Sequence, residues 1–307
     1  MKSAYILPIA FLLLVSCSKK DTADLSVKDA NPPLTLKEHW FDYQSELKRV
    51  YLDDQVATYL APDMDTTLSL TFYNNFSSRL WKYTKEKYGD FGDDQRLRVT
   101  MHDGEYLSGG GFYGTLSTYR SSTCDYKNLV VVSSTMWKDS AIMSAVLAHE
   151  VGHIVEFSSM QRSGSPTFKL WGDSKLMDLF IYDVYLGLGL QQLADDSYSQ
   201  SVVSAVAYPR PNTYWFRDWW YPIYMKYGKT ALLVNYFKLL AANLSHEKDK
   251  QGFENYTEDV NLGEFIHFMS GAAGADLKEQ AKIAFGWTME TEQQLINAKE
   301  DYPNVKY

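Results

Sequence analysis

The sequence predicts an α+β fold, on three observations. Segments with strand character (Arg96 to Met101, Phe112 to Tyr119, Leu129 to Val132) all precede Met136. From Met136 onward, apolar residues recur at helical spacing almost to the end of the chain. Strands and helices are thus segregated, which argues against a βαβ winding.

In order, residues 37–60 and 66–88 carry helical spacing. In the second stretch Phe72, Phe76, Leu80 and Tyr83 share a face, and Gly89 or Gly92 ends the run. Arg96-Leu97-Arg98-Val99-Thr100-Met101 alternates polar and apolar residues, as a half-buried strand does. Gly109-Gly110-Gly111 opens a second strand, and the β-branched run Leu129-Val130-Val131-Val132 reads as a buried one. The helical half breaks at Gly164-Ser165-Pro166, at Tyr208-Pro209-Arg210-Pro211 and between Gly271 and Gly274. Residues 35–307 form one expected domain, with a sheet-containing half to about residue 148 and a helical half over 149–307.

The chain has 307 residues, 45% hydrophobic and 22% charged, a globular composition. Its net charge of −8 lacks the basic footprint of a general nucleic-acid binder, so nucleic acid is not an expected partner. The 2 cysteines, Cys17 and Cys124, are too few for a disulfide framework or a four-cysteine zinc site. The expected state is a monomer.

The N-terminus reads as an address. Lys2 precedes an apolar stretch from Ala4 to Val15, shorter than the roughly 20 residues of a permanent span but matched to a secretory signal. The stretch ends in Leu14-Val15-Ser16-Cys17, which resembles a bacterial lipobox. That resemblance implies cleavage of residues 1–16, acylation of Cys17, and a lipid-anchored protein of the cell envelope, at the outer membrane. Residues 17–34, polar and closing in Asn31-Pro32-Pro33, then form a tether.

His149-Glu150-Val151-Gly152-His153 is an H-E-x-x-H motif. Residues i and i+4 share a helix face, so both imidazoles can reach one metal ion, with Glu150 placed as general base. Ile142, Ala145, Val146, His149, Gly152, His153 and Glu156 step by three and four and define an expected buried face. Gly152 costs about 1 kcal/mol of helix propensity relative to alanine, which a need for a small residue beside the metal would explain. Glu156, one turn beyond His153, is read as a support to the metal shell or as a solvated residue.

With this motif the chain resembles the zincin metallopeptidases. Glu156 and Ser159 occupy the positions where metzincins continue with Gly and His, which excludes that branch. The remaining resemblance is to gluzincin-like enzymes, and the tail Phe268 to Leu277 is similar to the helical end of some secreted bacterial metallopeptidases. It implies a zincin-like fold: a small N-terminal sheet with helices, the motif helix, then a mainly helical subdomain. It also implies Zn²⁺ held by His149, His153 and a carboxylate on a following helix, Glu150 as catalytic base, and a peptide or protein substrate.

No Glu lies between Glu156 and Glu247, so the carboxylate that the resemblance implies is sought among the aspartates at 173–188. Asp178 is favoured, with Asp183, Asp173 or a water as alternatives; Gly172-Asp173-Ser174 reads more naturally as a helix N-cap. Tyr214, Arg217 and His267 are candidates for oxyanion stabilisation, although the aromatic stretch 214–221 reads better as core with an Arg217–Asp218 pair. The alternative to an enzyme is a surface lipoprotein that binds peptide or glycan around a structural or degenerate metal site.

The N-terminal reading has a direct test. Cys17→Ser is expected to move the protein from the membrane to the soluble fraction or to stall its processing. Detergent partitioning unchanged by the substitution would refute the lipid anchor.

Overall fold

The mixed sheet owes its order to which strands can be buried on both faces. In the computed structural model, which describes residues 32–40, 43–92, 94–104, 109–113, 127–250 and 252–307, six strands run β1-β2-β3-β4-β6-β5. They are β1 (Thr35–Lys37), β2 (Glu46–Leu52), β3 (Val56–Leu60), β4 (Leu97–His102), β5 (Gly109–Tyr113) and β6 (Asn128–Ser133). β4 and β6 are buried at every residue, so the alternation read as a half-buried strand at 96–101 belongs to a central one. Val99 and Met101 face the helical layer, while Thr100 and His102 face the opposite side beneath Trp40 and Tyr43. There His102 pairs with buried Glu38 at 3.0 Å, and Tyr43 stacks on the imidazole at 4.1 Å.

The helix expected over 37–60 is instead β1, β2 and β3. Its spacing misled because β2 carries a bulge: Arg49 pairs with Tyr59 and Tyr51 with Thr58, leaving Val50 as an extra, exposed residue. The insertion stretches a period of two into the three-and-four step from Leu47 to Val50 and Tyr51. Asp53 then turns the chain, its Oδ1 accepting from the backbone N–H of Gln55 at 2.7 Å and of Val56 at 2.8 Å.

Helix α1 (Thr71–Tyr88) forms as expected and ends before Gly89, whose φ of 96° suits glycine. It connects β3 to its parallel neighbour β4, so the α+β chain does contain one βαβ unit. After β6 come α2 (Ser140–Ser158), α3 (Phe168–Trp171), α4 (Lys175–Gly187) and α5 (Gln191–Ser201). A π-helical segment at Trp215–Trp220 follows, then α6 (Tyr221–Lys226) and α7 (Thr230–Asn243). The hairpin β7 (His246–Lys248) and β8 (Glu254–Tyr256), which helical periodicity concealed, precedes α8 (Leu262–Ala273), α9 (Lys278–Phe285) and α10 (Met289–Asp301). α8 ends at Gly274, in the left-handed conformation, within the break expected between Gly271 and Gly274. Among the described residues, no helix is long and apolar enough to cross a membrane. Cys17, Cys124 and the N-terminal segments 1–31 lie outside the described residues.

Asp183 fastens the helical layer. Its fully buried carboxylate accepts from Tyr83 at 2.9 Å, Tyr88 at 2.8 Å and Tyr224 at 2.6 Å, and from the hydroxyl of Thr230. Burial, and then the charge of Asp183, raise the pKa values of the three phenols, so each stays a donor. One side chain thereby joins α4 to α1, α6 and α7. Asp183→Asn replaces one acceptor oxygen by a donor and is expected to cost about 2–4 kcal/mol in urea unfolding, with Tyr88→Phe costing about 1–2 kcal/mol. Equal midpoints for Asp183→Asn and wild type would remove Asp183 from this role.

Candidate metal centre

Helix α2 starts where Asp139 caps it, the carboxylate accepting from Ala141 and Ile142 at 3.1 Å each. Met143, Leu147, Val151 and Ile154 form its buried stripe. The face expected to be buried is graded instead: Ile142 is exposed, Ala145, Val146 and His149 are half-buried, and Gly152, His153 and Glu156 are fully buried. The face is thus open to solvent towards the start of α2 and closed from Gly152 onward, with His149 at the transition.

Gly152 has a packing reason. A Cβ at this position would lie 2.4 Å from Met177 Sδ and 2.9 Å from a ring carbon of Phe180, both on α4. The absent side chain therefore admits α4 against α2, which corrects the expectation that the metal required it.

Beyond α2, Met160 and Gln161 both adopt a φ of 58° and reverse the chain. Ser163 is clamped by β8, donating its N–H to the Glu254 carbonyl at 2.8 Å and accepting from the Tyr256 N–H at 3.1 Å. α3 then ends at Gly172, whose φ of 60° with ψ of −159° is a glycine conformation, and the chain turns Asp173 back towards α2. The N-cap expected at Asp173 falls to Ser174, without a side-chain capping bond, and the Asp173 carboxylate, which accepts from Ser174 Oγ at 3.3 Å, faces the histidines of α2.

Three side chains converge here. His149 Nε2 and His153 Nε2 are 3.1 Å apart; Asp173 Oδ1 lies 3.2 Å from His153 Nε2, and Asp173 Oδ2 lies 3.6 Å from His149 Nε2. A tetrahedral ion with bonds of about 2.0–2.1 Å sets its ligand atoms about 3.3–3.4 Å apart; the 3.1 and 3.2 Å edges at His153 Nε2 are close to that, and one ligand atom from each of the three residues lies within 4.8 Å of the others. Two nitrogens and one oxygen leave a fourth position for solvent or substrate. His153 is 4% exposed, whereas the Asp173 side chain is 72% exposed, so the mouth lies on the aspartate side.

The charges are arranged around this point. Burial, then the charge of His153, lowers the His149 pKa to about 4. Burial opposes charge on His153 as well, but the hydrogen bonds that it donates to Asp173 and Glu156 outweigh it and raise the pKa to about 9. The hydrogen bond from His153 holds Asp173 down at about 2. Glu150 is pushed up to about 7, chiefly by burial, and its carboxylate takes no hydrogen bond from the described residues. Glu156 is buried against His153 Nδ1 at 3.0 Å, and also accepts from Ser165 Oγ at 2.7 Å and Trp171 Nε1 at 2.6 Å.

The favoured third ligand, Asp178, is not in this cluster. Met177 and Phe180 occupy the stripe of α4 that meets α2, and Asp178 is turned about 100° away from Met177, at a half-buried position where burial raises its pKa to about 6. Asp183 is committed to its hydroxyl donors. Asp173 takes the place that the spacing left open among three aspartates. Arg217 stacks on Tyr214 at 3.7 Å and pairs with Asp218 at 2.7 Å, while Trp215, Phe216, Trp219 and Trp220 are buried, the packing reading of that stretch. His267 is bonded to the Tyr307 hydroxyl at 3.0 Å and the Tyr302 carbonyl at 3.2 Å. The link from Glu156 to Trp171 and Ser165 had no signal in the sequence beyond a glutamate one turn past the second histidine.

Comparison with known protein families and with curated proteins finds no match to this chain.

The α2–α4 contact yields a prediction with an unusual sign. Gly152→Ala should gain about 1 kcal/mol of helix propensity, yet overpacking against Met177 and Phe180 costs typically 1–3 kcal/mol. The expected net result is a lower thermal midpoint. A stabilised Gly152→Ala protein would show that the two helices have room to spare.

Proposed function

We propose that this protein is a zinc-dependent hydrolase, specifically a metallopeptidase anchored to the membrane by lipid on Cys17. The observation that carries the reading is the convergence of His149, His153 and Asp173 next to a buried Glu150 that has no hydrogen-bond donor among the described residues. A purely structural ion has no use for such a neighbour, whereas hydrolysis needs a base with room for a water.

When bound, zinc would supply Lewis-acid polarisation of the scissile carbonyl and acidify a water. Glu150 takes the proton of the attacking water and delivers it to the leaving nitrogen. His149 and His153 hold their imidazoles on one helix face, and Asp173 closes the triangle from the solvent side.

A peptide substrate is supported by the position of β5. This strand ends the sheet order, pairs with β6 on one side, and packs against α2. Among the described residues no strand pairs with its outer edge, and Gly109, Gly110 and Gly111 present backbone there without side chains in the way. An extended peptide can add to such an edge through main-chain hydrogen bonds.

The test compares purified wild type, Glu150→Gln, Asp173→Ala and Asp178→Ala for metal content and for cleavage of a mixed peptide library. Glu150→Gln should retain zinc and lose a factor of about 10² to 10⁴ in rate. Asp173→Ala should lose zinc, and Asp178→Ala should keep it. Wild type and His153→Ala with the same zinc content would end the metal reading; equal cleavage by wild type and Glu150→Gln would end the catalytic one.

A further inference from the structure

Glu156 makes contacts that the hydrolytic reading does not use. Its two oxygens face different parts of the centre: Oε2 meets His153 Nδ1, and Oε1 meets both Ser165 Oγ and Trp171 Nε1. An indole N–H can only donate, so Oε1 is an acceptor. With Oε2 also accepting, the hydrogen of a neutral His153 sits on Nδ1, and the lone pair of Nε2 points at His149 and Asp173.

The Oε1 side reaches the third carboxylate. Trp171 precedes Asp173 by two residues, with the Gly172 turn between them. Its indole is buried and wedged at about 6 Å between ring centroids from Trp220, Tyr236 and Phe265. The hydrogen bond to Oε1 therefore fixes where α3 ends and where the turn releases Asp173.

We infer that Glu156 is the positioning residue of this centre, selecting the ligating tautomer of His153 with one oxygen and setting the approach of Asp173 with the other. The inference rests on the metal reading above. A carboxylate is required because it alone accepts on both sides. A glutamine has a single acceptor oxygen; turned towards Trp171 and Ser165, its amide N–H₂ faces His153 and favours a hydrogen on Nε2, where the metal needs a lone pair.

The experiment measures the zinc dissociation constant of the purified full chain by chelator competition, for wild type, Glu156→Gln and Trp171→Phe, with ¹H–¹⁵N spectra of the imidazoles in the zinc-loaded proteins. Glu156→Gln is expected to weaken zinc binding by about 10- to 100-fold. Its His153 Nδ1–H resonance should move upfield or exchange away. Trp171→Phe should weaken binding by less and leave that resonance in place, because Oε2 still serves His153. A folded Glu156→Gln protein that binds zinc within twofold of wild type, with an unchanged Nδ1–H signal, overturns the inference while the metal reading stands. Should Glu156→Gln fail to fold, unchanged affinity in Trp171→Phe overturns the Asp173 arm. A wild-type chain that binds no zinc removes the metal reading and this inference with it.

Discussion

The centre depends on how closely two helices can approach. α2 supplies both histidines and the glutamate between them, but the aspartate that meets them comes from the chain entering α4. Met177 and Phe180 lie where a side chain on residue 152 would be, so the spacing between α2 and α4 is set by a missing Cβ. Wider separation would move the start of α4, and with it Asp173, away from the histidines that it meets at 3.2 and 3.6 Å. A helix-weakening residue in the middle of the motif is thus a requirement of tertiary packing.

Two buried carboxylates hold this arrangement from opposite sides. Asp183 gathers phenols and a hydroxyl from three other helices onto α4. Glu156 gathers an imidazole, a hydroxyl and an indole onto α2. A buried carboxylate without such partners would be strongly destabilising, but charge-assisted hydrogen bonds of about 2.6–3.0 Å offset the loss of hydration. Each therefore orders several elements at once, and α4 is fixed both along its length and at its entry.

The placing of His149, Glu150 and His153 on the α2 helix, the strand at Leu129 to Val132 and the predominance of helices after Met136 were legible because each rests on local periodicity. The sheet at residues 35–60 was not, since the bulge at Val50 gives a strand the spacing of a helix. Nor was the third carboxylate. Asp173, Asp178 and Asp183 are chemically equivalent in one dimension, and what separates them is a left-handed glycine, a helix face and a cluster of tyrosines distant in sequence. Gly152 was visible as an anomaly, but its cause lies on another helix. Glu156 was noticed for its position, while its partners Ser165 and Trp171 carry no pattern that marks them.

The exposure of Asp173 has a consequence for how the centre fills. The two imidazoles sit on a rigid helix, one of them clamped from behind, while the aspartate rides on a short turn at the surface after Gly172. An arriving cation would find the nitrogen pair already in place and would leave only when the carboxylate swings out. On the metal reading, capture by the nitrogen pair would be independent of that turn while release would depend on its stiffness, so substitutions at Gly172 should change residence time and, by the same factor, affinity.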